Sequence, residues 1–361
     1  MVTAMTVRRL HVEGYRSLTD VTIDFGRITV VVGPNGSGKT NLYRALRLTH
    51  ACGDGTIART VVAEGGMPSI VHAGRRTGEP KVELALDLED MSYEVCLATV
   101  GPGGGFPRDP VIKREQILLP ADGRRRVELL DRAGTTAFVR DDEGHRITFP
   151  AAFHSSESVL SQLVDARQFP ELVHVRETLR RMRFHHHLRT DDQAPARQPS
   201  LGTRTLAVAD DGSDLAAALA TILRDGDGRS LQRCVGDALA DAEVVVEEDG
   251  SGRLEVTLRS GALRRPLSAG ELSDGQLRFL YLAAALLSPR PPVVVVLNEP
   301  ETSLHVDLLP ALAELIFTAS TRTQIVLTTH ASTLADALFD REGTTGVELR
   351  LREGRTSAQP L

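Results

Sequence analysis

Several of the features that most readily fix a protein's class are scarce here. The 361 residues include no tryptophan, 4% aromatics and three cysteines. Cys52, Cys96 and Cys234 are scattered, odd in number and without C-x-x-C spacing. That excludes a disulfide framework or a cysteine metal cage as the organising device, and it suits a reducing cytoplasm. The longest apolar run, FLYLAAALL, falls far short of the ~20 residues a membrane helix needs, and the opening MVTAMTVRRLHVEGYRSL lacks a signal-peptide core. The expectation is a soluble, cytoplasmic chain with no membrane partner. Lysine is also scarce: Lys39, Lys81 and Lys113 are the only three, so the place of each is informative. The net charge of -6 leaves nucleic acid to local basic patches alone.

What is present suffices for one large core or two smaller ones, with 41% apolar and 25% charged residues. Apolar runs at 6–12, 21–25 and 28–32 predict strands, and GKTNLYRALRL predicts a helix. From 81 to about 150 the pattern changes to short two-periodic pieces, KVELALDL, SYEVCLATV, RVELLDRAG and TAFVRDD, which predict an antiparallel meander attached to that first unit. Residues 156–240 are helical in character: SESVLSQLVDA, ELVHVRETLRRMRF and SDLAAALATILRDG space their apolar side chains by three and four, with TDDQAPARQPSLGTRT as a polar loop. Strands return at AEVVVEED and RLEVTLRS, followed by a helix, the VVVVL strand, the helix HVDLLPALAELIFTA, the strand QIVLTT and a last helix. The alternation predicts an α/β fold whose mostly parallel sheet presents ligands at its carboxyl ends. No heptad run is present, so no coiled coil is expected. The corresponding division is one lobe from 1–150 and 241–361, and a helical lobe at 151–240.

Four motifs carry the chemistry. GPNGSGKT, residues 33–40, matches G-x-x-x-x-G-K-[ST] between a predicted strand and helix. Such a loop turns backbone N–H groups of Asn35, Gly36, Ser37, Gly38 and Asn41 towards phosphates, with Lys39 reaching the outer phosphates and the Thr40 hydroxyl available to Mg²⁺. LSDGQ, residues 272–276, reads as a capping box, Ser273 with Gln276, and the same helix start with Gly275 is suited to an anion. NEPETSLH, residues 298–305, ends the VVVVL strand, and TTH places His330 at the end of the next.

In this order the four motifs resemble the ABC-type ATPases, in particular the branch that includes RecF, SMC heads and the ATPase part of OLD-family proteins. The wording is most similar to bacterial ATPases with NEPETSLH endings. The resemblance implies a P-loop ATPase head with an antiparallel β subdomain and a helical lobe, binding ATP and Mg²⁺. It implies that Glu299 polarises water and that His330 is the switch histidine. Ser273 and Gly275, with Gln276, would then contact the γ-phosphate held by a second copy, and residues 303–305 would cross a homodimer interface with two ATP molecules sandwiched. It makes Thr40, Asn298 and a Q-loop glutamine the metal candidates; Gln162 is the choice, with Gln116 its rival. It also points to DNA or a partner protein in genome maintenance or phage defence. Any nuclease would be a separate polypeptide, since the chain ends soon after RLREGRTSAQPL.

Asn298 departs from the usual aspartate. A unit-charge pair at 4 Å is worth about 4 kcal/mol at an effective dielectric near 20, before desolvation. The amide forfeits most of that, which predicts slow hydrolysis or an ATP-gated switch; a transporter subunit is disfavoured by the NEPE ending and by the long spacing between motifs. The stretch RETLRRMRFHHHLR has two readings: a solvated helix face continuing into a loop, or a DNA-phosphate contact through Arg176, Arg180, Arg181 and Arg183. GRRRVE near Arg124 carries the same ambiguity. Metal binding by His185, His186 and His187 is disfavoured because adjacent residues do not share a helix face.

Overall fold

Alternation of buried and exposed side chains builds the largest sheet. Along Lys81–Leu88, Val82, Leu84, Leu86 and Leu88 turn inward while their neighbours face outward. In the computed structural model, which describes residues 6–75, 78–101, 106–119 and 127–361, the chain falls into two units. One comprises Met1–Gly26, Val31–Met182 and Thr345–Leu361; the other comprises Arg27–Val30 and Arg183–Thr344.

The first unit holds eight antiparallel strands, in the order Leu18–Asp24, Val7–Tyr15, Lys81–Leu88, Ser92–Thr99, Pro110–Leu119, Val127–Ala133, Thr136–Arg140 and Arg146–Phe149. The meander is thus continuous with the opening hairpin, through pairs such as Leu10 with Leu86 and Val12 with Leu84. Pro110–Leu119 is a strand that the pattern conceals, because KREQ in its middle looks like a polar loop. Glu115 is nevertheless fully buried there, paired with the equally buried Arg132 at 3.2 Å. This pair also captures the following chain. Arg132 donates to the carbonyls of His154 and Glu157, and Glu115 accepts from the Ser158 hydroxyl and the Val159 amide. The captured segment forms only the short helix Val159–Gln162, where a longer one is expected from the spacing. The helix Lys39–Asp54 ends on a left-handed Gly55 and packs on Pro170–Arg180, with Gly53 admitting Leu179. A hairpin late in the chain, Thr344–Arg352 with Arg355–Pro360, turns at Glu353 and Gly354, both at positive φ.

In the second unit, Arg183–His185, Val294–Asn298 and Gln324–Thr329 lie side by side in parallel, with Phe184 opposite Val296 and Asn298 opposite Thr328. A small antiparallel sheet of Ser200–Leu201, Arg253–Arg259 and Glu243–Glu248 accompanies them. The helices are Leu215–Asp225, Gly228–Ala238, Asp274–Leu286, Leu309–Ala319 and Ser332–Phe339. Apart from Arg278 and Tyr281, Asp274–Leu286 is apolar all round from Leu277 onward, and it is buried accordingly. No described helix is long and apolar enough to cross a membrane.

The basic stretch corrects the helix expected over 171–184. Its helix stops at Arg180, and Arg183–His185 becomes a strand because the valine-rich Val294–Asn298 offers an open parallel edge. His185 is buried at the end of that strand and the exposed His186 and His187 follow it, so the histidines lie at a strand end and in the chain after it, not on a helix.

Candidate functional site

Each unit contributes one constellation. In the first, the end of the strand Ile28–Val32 runs into the glycine loop. Gly33 and Gly38 sit at φ 155° and 107°. A Cβ on Gly33 would lie 2.5 Å from the Leu349 carbonyl, and one on Gly38 would lie 2.5 Å from the Thr356 hydroxyl, so only glycine fits either place. Lys39 is buried and donates to the carbonyls of Gly33 at 2.6 Å and Pro34 at 3.1 Å, which curls the loop around its own ammonium. Ser37 Oγ is buried with no partner among the described residues. A loop closed on a buried cation, with an orphan hydroxyl and no room for side chains, fits an oxyanion guest. Thr40 follows half-buried in the first turn, while Asn35 and Gly36 are exposed.

The loop is braced from outside. Asn41 donates to Ser17 Oγ at 2.9 Å, Ser17 and Thr356 hydroxyls lie 2.8 Å apart, and Thr356 donates to the Ser37 carbonyl at 2.9 Å. The Asn41 side chain is thus committed to the brace. Ser17 and Thr356 escaped sequence reasoning, since nothing local marks either as a neighbour of the loop.

Both glutamine candidates are engaged. Gln162 accepts from the His154 amide and donates to the Glu157 and Ser158 carbonyls, tying its own turn together. Gln116 donates to Asp131 at 2.7 Å within the sheet and accepts from Arg114. A metal role for Gln162 requires that turn to open.

In the second unit, the parallel register sets the strand ends together. Asn298, 1% exposed, accepts from Thr328 Oγ at 2.9 Å and donates through Nδ2 to His186 Nδ1 at 2.7 Å. Only an amide makes both bonds with a neutral imidazole acceptor, and one lone pair of Oδ1 is left over. Glu299 takes a left-handed φ of 49°, and its amide is fixed by the Thr328 carbonyl at 2.9 Å. Its carboxylate stands 3.7 Å from His330 Nδ1. Glu301, unassigned by the motif reading, is closer to that nitrogen, at 3.2 Å.

The expected capping box is present: Ser273 accepts from the Gln276 amide at 3.3 Å and Gln276 accepts from the Ser273 amide at 2.9 Å. Arg197, nearly buried, donates to the Leu272 carbonyl at 2.6 Å and to Asp274 at 2.8 Å, which locks this helix start. Gly275 lets the Ser303 carbonyl come within 3.2 Å of where a Cβ would be, and Ser303 is itself left-handed at φ 68°. From the same helix Arg278 reaches the His186 carbonyl at 2.8 Å. Burial pushes its guanidinium below the ordinary value, against the nearby charges of Tyr281 and Glu301.

The basic arginines are less available than their count suggests. Arg180 pairs with Glu177 at 3.1 Å and Asp54 at 3.7 Å, and Arg176 Nε is buried. Arg181 lies at the helix end and Arg183 in the parallel strand. Arg124 lies outside the described residues.

A strand, a phosphate-type glycine loop and a helix in an α/β frame define a P-loop nucleotide-binding protein. Residues 28–336 match the family described as "AAA domain, putative AbiEii toxin, Type IV TA system", and the chain belongs to that family of ATPases. It is similar to the chromosome partition protein Smc of Clostridium kluyveri, 34% identical over 105 residues, covering 27% of this chain and 8% of that protein. It is also similar to the OLD nuclease of Thermus scotoductus, 45% identical over 42 residues, covering 12% and 8%. Among solved structures, the Smc head bound to the C-winged helix domain of ScpA superposes with a TM-score of 0.60 at 16% identity, covering 99% of this chain and 98% of that one. An Smc head from Pyrococcus furiosus, with an extended coiled coil and bound to the C-terminal domain of ScpA, gives 0.57 at 15% identity over 99% and 96%. The chain thus matches a small part of the length of its curated relatives and shares the whole fold of the heads.

Proposed function

We propose that the protein binds ATP with Mg²⁺, hydrolyses it slowly, and forms a homodimer around the nucleotide to act on DNA or on a partner protein. The observation that carries this reading is the closed glycine loop: a buried lysine, two glycines with no room for a Cβ and an orphan hydroxyl, shapes that have no use in an ordinary turn. Lys39 and the loop amides would hold the phosphates, Thr40 and Asn298 would be the protein's metal ligands, and Mg²⁺, when bound, would supply charge neutralisation at the phosphates. Glu299 orients and deprotonates water, and His330 senses the outermost phosphate. Ser273, Gly275 and Gln276 offer their helix start to the nucleotide of the second copy. Genome maintenance and phage defence suit the kinship with Smc and OLD proteins, and an Smc head of the same fold binds a domain of ScpA. Of the two partner classes, protein is favoured over DNA at the arginine stretch, because Arg180 is already neutralised by acidic neighbours.

A second reading, an ATP-gated switch with little turnover, is favoured by Asn298, whose amide is engaged with His186 and Thr328. Turnover assays separate the two. In the ATPase, Glu299→Gln lowers kcat by about a hundredfold or more while nucleotide still binds, and Lys39→Ala removes binding. Equal rates for wild type and Glu299→Gln would eliminate the hydrolytic reading and leave the switch.

A further inference from the structure

Glu301 is a buried carboxylate for which neither the motif reading nor the proposed mechanism has a use. Its side chain is 5% exposed. All its visible bonding falls on one oxygen: Oε1 accepts from the Thr329 hydroxyl at 2.6 Å and from the His330 amide at 3.0 Å, and His330 Nδ1 lies 3.2 Å from it. Oε2 is buried and no donor among the described residues reaches it. Burying a carboxylate with half its acceptors idle is costly, so the group's value lies in what Oε1 holds.

What it holds is the orientation of His330. The two carboxylate oxygens nearest His330 Nδ1 are Glu301 Oε1 at 3.2 Å and Glu299 Oε1 at 3.7 Å. A bare nitrogen lone pair facing two carboxylates is repelled, whereas an Nδ1–H is attracted. The backbone bond from the His330 amide to the same oxygen fixes the residue at a second point, and Thr329 braces the oxygen itself while accepting from the Ala331 amide at 3.0 Å.

We propose that Glu301 is a positioning residue: it holds His330 in the Nδ1–H tautomer, so that Nε2 is the nitrogen presented to the reacting phosphate and Glu299 keeps its carboxylate for water. This rests on the ATPase reading for its purpose, but its geometry can be tested without turnover. In ¹⁵N-histidine-labelled protein free of nucleotide, with the His330 signals assigned through His330→Gln, Nδ1 should show the shift and couplings of a protonated ring nitrogen and Nε2 those of a bare one. Glu301→Ala and the bulkier Glu301→Leu should each move His330 to the Nε2–H form. In steady-state hydrolysis, Glu301→Ala should lower kcat roughly tenfold with KM for ATP little changed, a fraction of what a positioned proton-transfer group contributes. Adding it to His330→Ala should cost nothing further, because both changes remove one device. The proposal is overturned if wild-type His330 carries its proton on Nε2, if either Glu301 variant leaves the tautomer unchanged, or if the kcat losses of Glu301→Ala and His330→Ala multiply. A wild type with no turnover but with the Nδ1–H tautomer would sink the ATPase reading and spare the geometry.

Discussion

At the scale of single residues, Asn298 shows what a local motif can and cannot convey. Its spacing marks a strand end directly before the carboxylate of Glu299, and that much is legible because the VVVVL run and NEPE are contiguous. The reason for an amide is not legible, since it depends on His186, which only the parallel register of Arg183–His185 with Val294–Asn298 brings within 2.7 Å. His185, one residue earlier, points the other way and is fully enclosed. Its Nδ1 lies 2.7 Å from the Tyr281 hydroxyl, which in turn donates to the Asp210 carbonyl. Burial, helped by the charges of Arg183 and Arg278, pushes the imidazole down to about 4 from an ordinary 6.5. Because the unfolded chain binds that proton more readily, the contribution is fully present above pH 6.5 and is lost as pH falls towards 4. The stability difference between pH 7 and pH 5 should include about 2 kcal/mol from this group. Urea melts should show that share vanish in His185→Gln; an unchanged difference would place the acid sensitivity elsewhere.

At the scale of elements, the P-loop was readable because its constraints are local: glycines at fixed spacing, a lysine and a helix start. The capping box at Ser273 was readable for the same reason. The strand Pro110–Leu119 is hidden by a buried ion pair, and the helix expected over 171–184 overruns its end at Arg180 because three- and four-residue spacing continues past it. The brace on the P-loop was beyond reach, since Thr356 belongs to a hairpin that the pattern did not reveal. Thr356 is buried, and its hydroxyl joins Ser17 to the Ser37 carbonyl. Thr356→Val keeps the shape and removes the link, so it should cost about 1 kcal/mol and weaken ATP binding several-fold. Titration with a fluorescent ATP analogue checks this, and an unaltered affinity would mean that the brace serves the hairpin and not the loop.

At the scale of the whole molecule, family membership and the Smc-head fold agree with the α/β ATPase expected from the motif order. Twin-copy action is the central claim beyond that. Ser273, Gly275 and Gln276 begin a helix that Arg197 locks in place, and the Ser303 loop is packed against it, so this start is held rigid, and the proposed function has it meet an anion. The proposal supplies that anion from the nucleotide of a second copy. Light scattering of Glu299→Gln protein with and without ATP and Mg²⁺ is the most direct test. The predicted result is a mass that doubles only with both present, and that stays monomeric when Ser273→Arg is added. A protein that remains monomeric with ATP bound, and whose wild-type turnover per chain is unaffected by dilution, would contradict it.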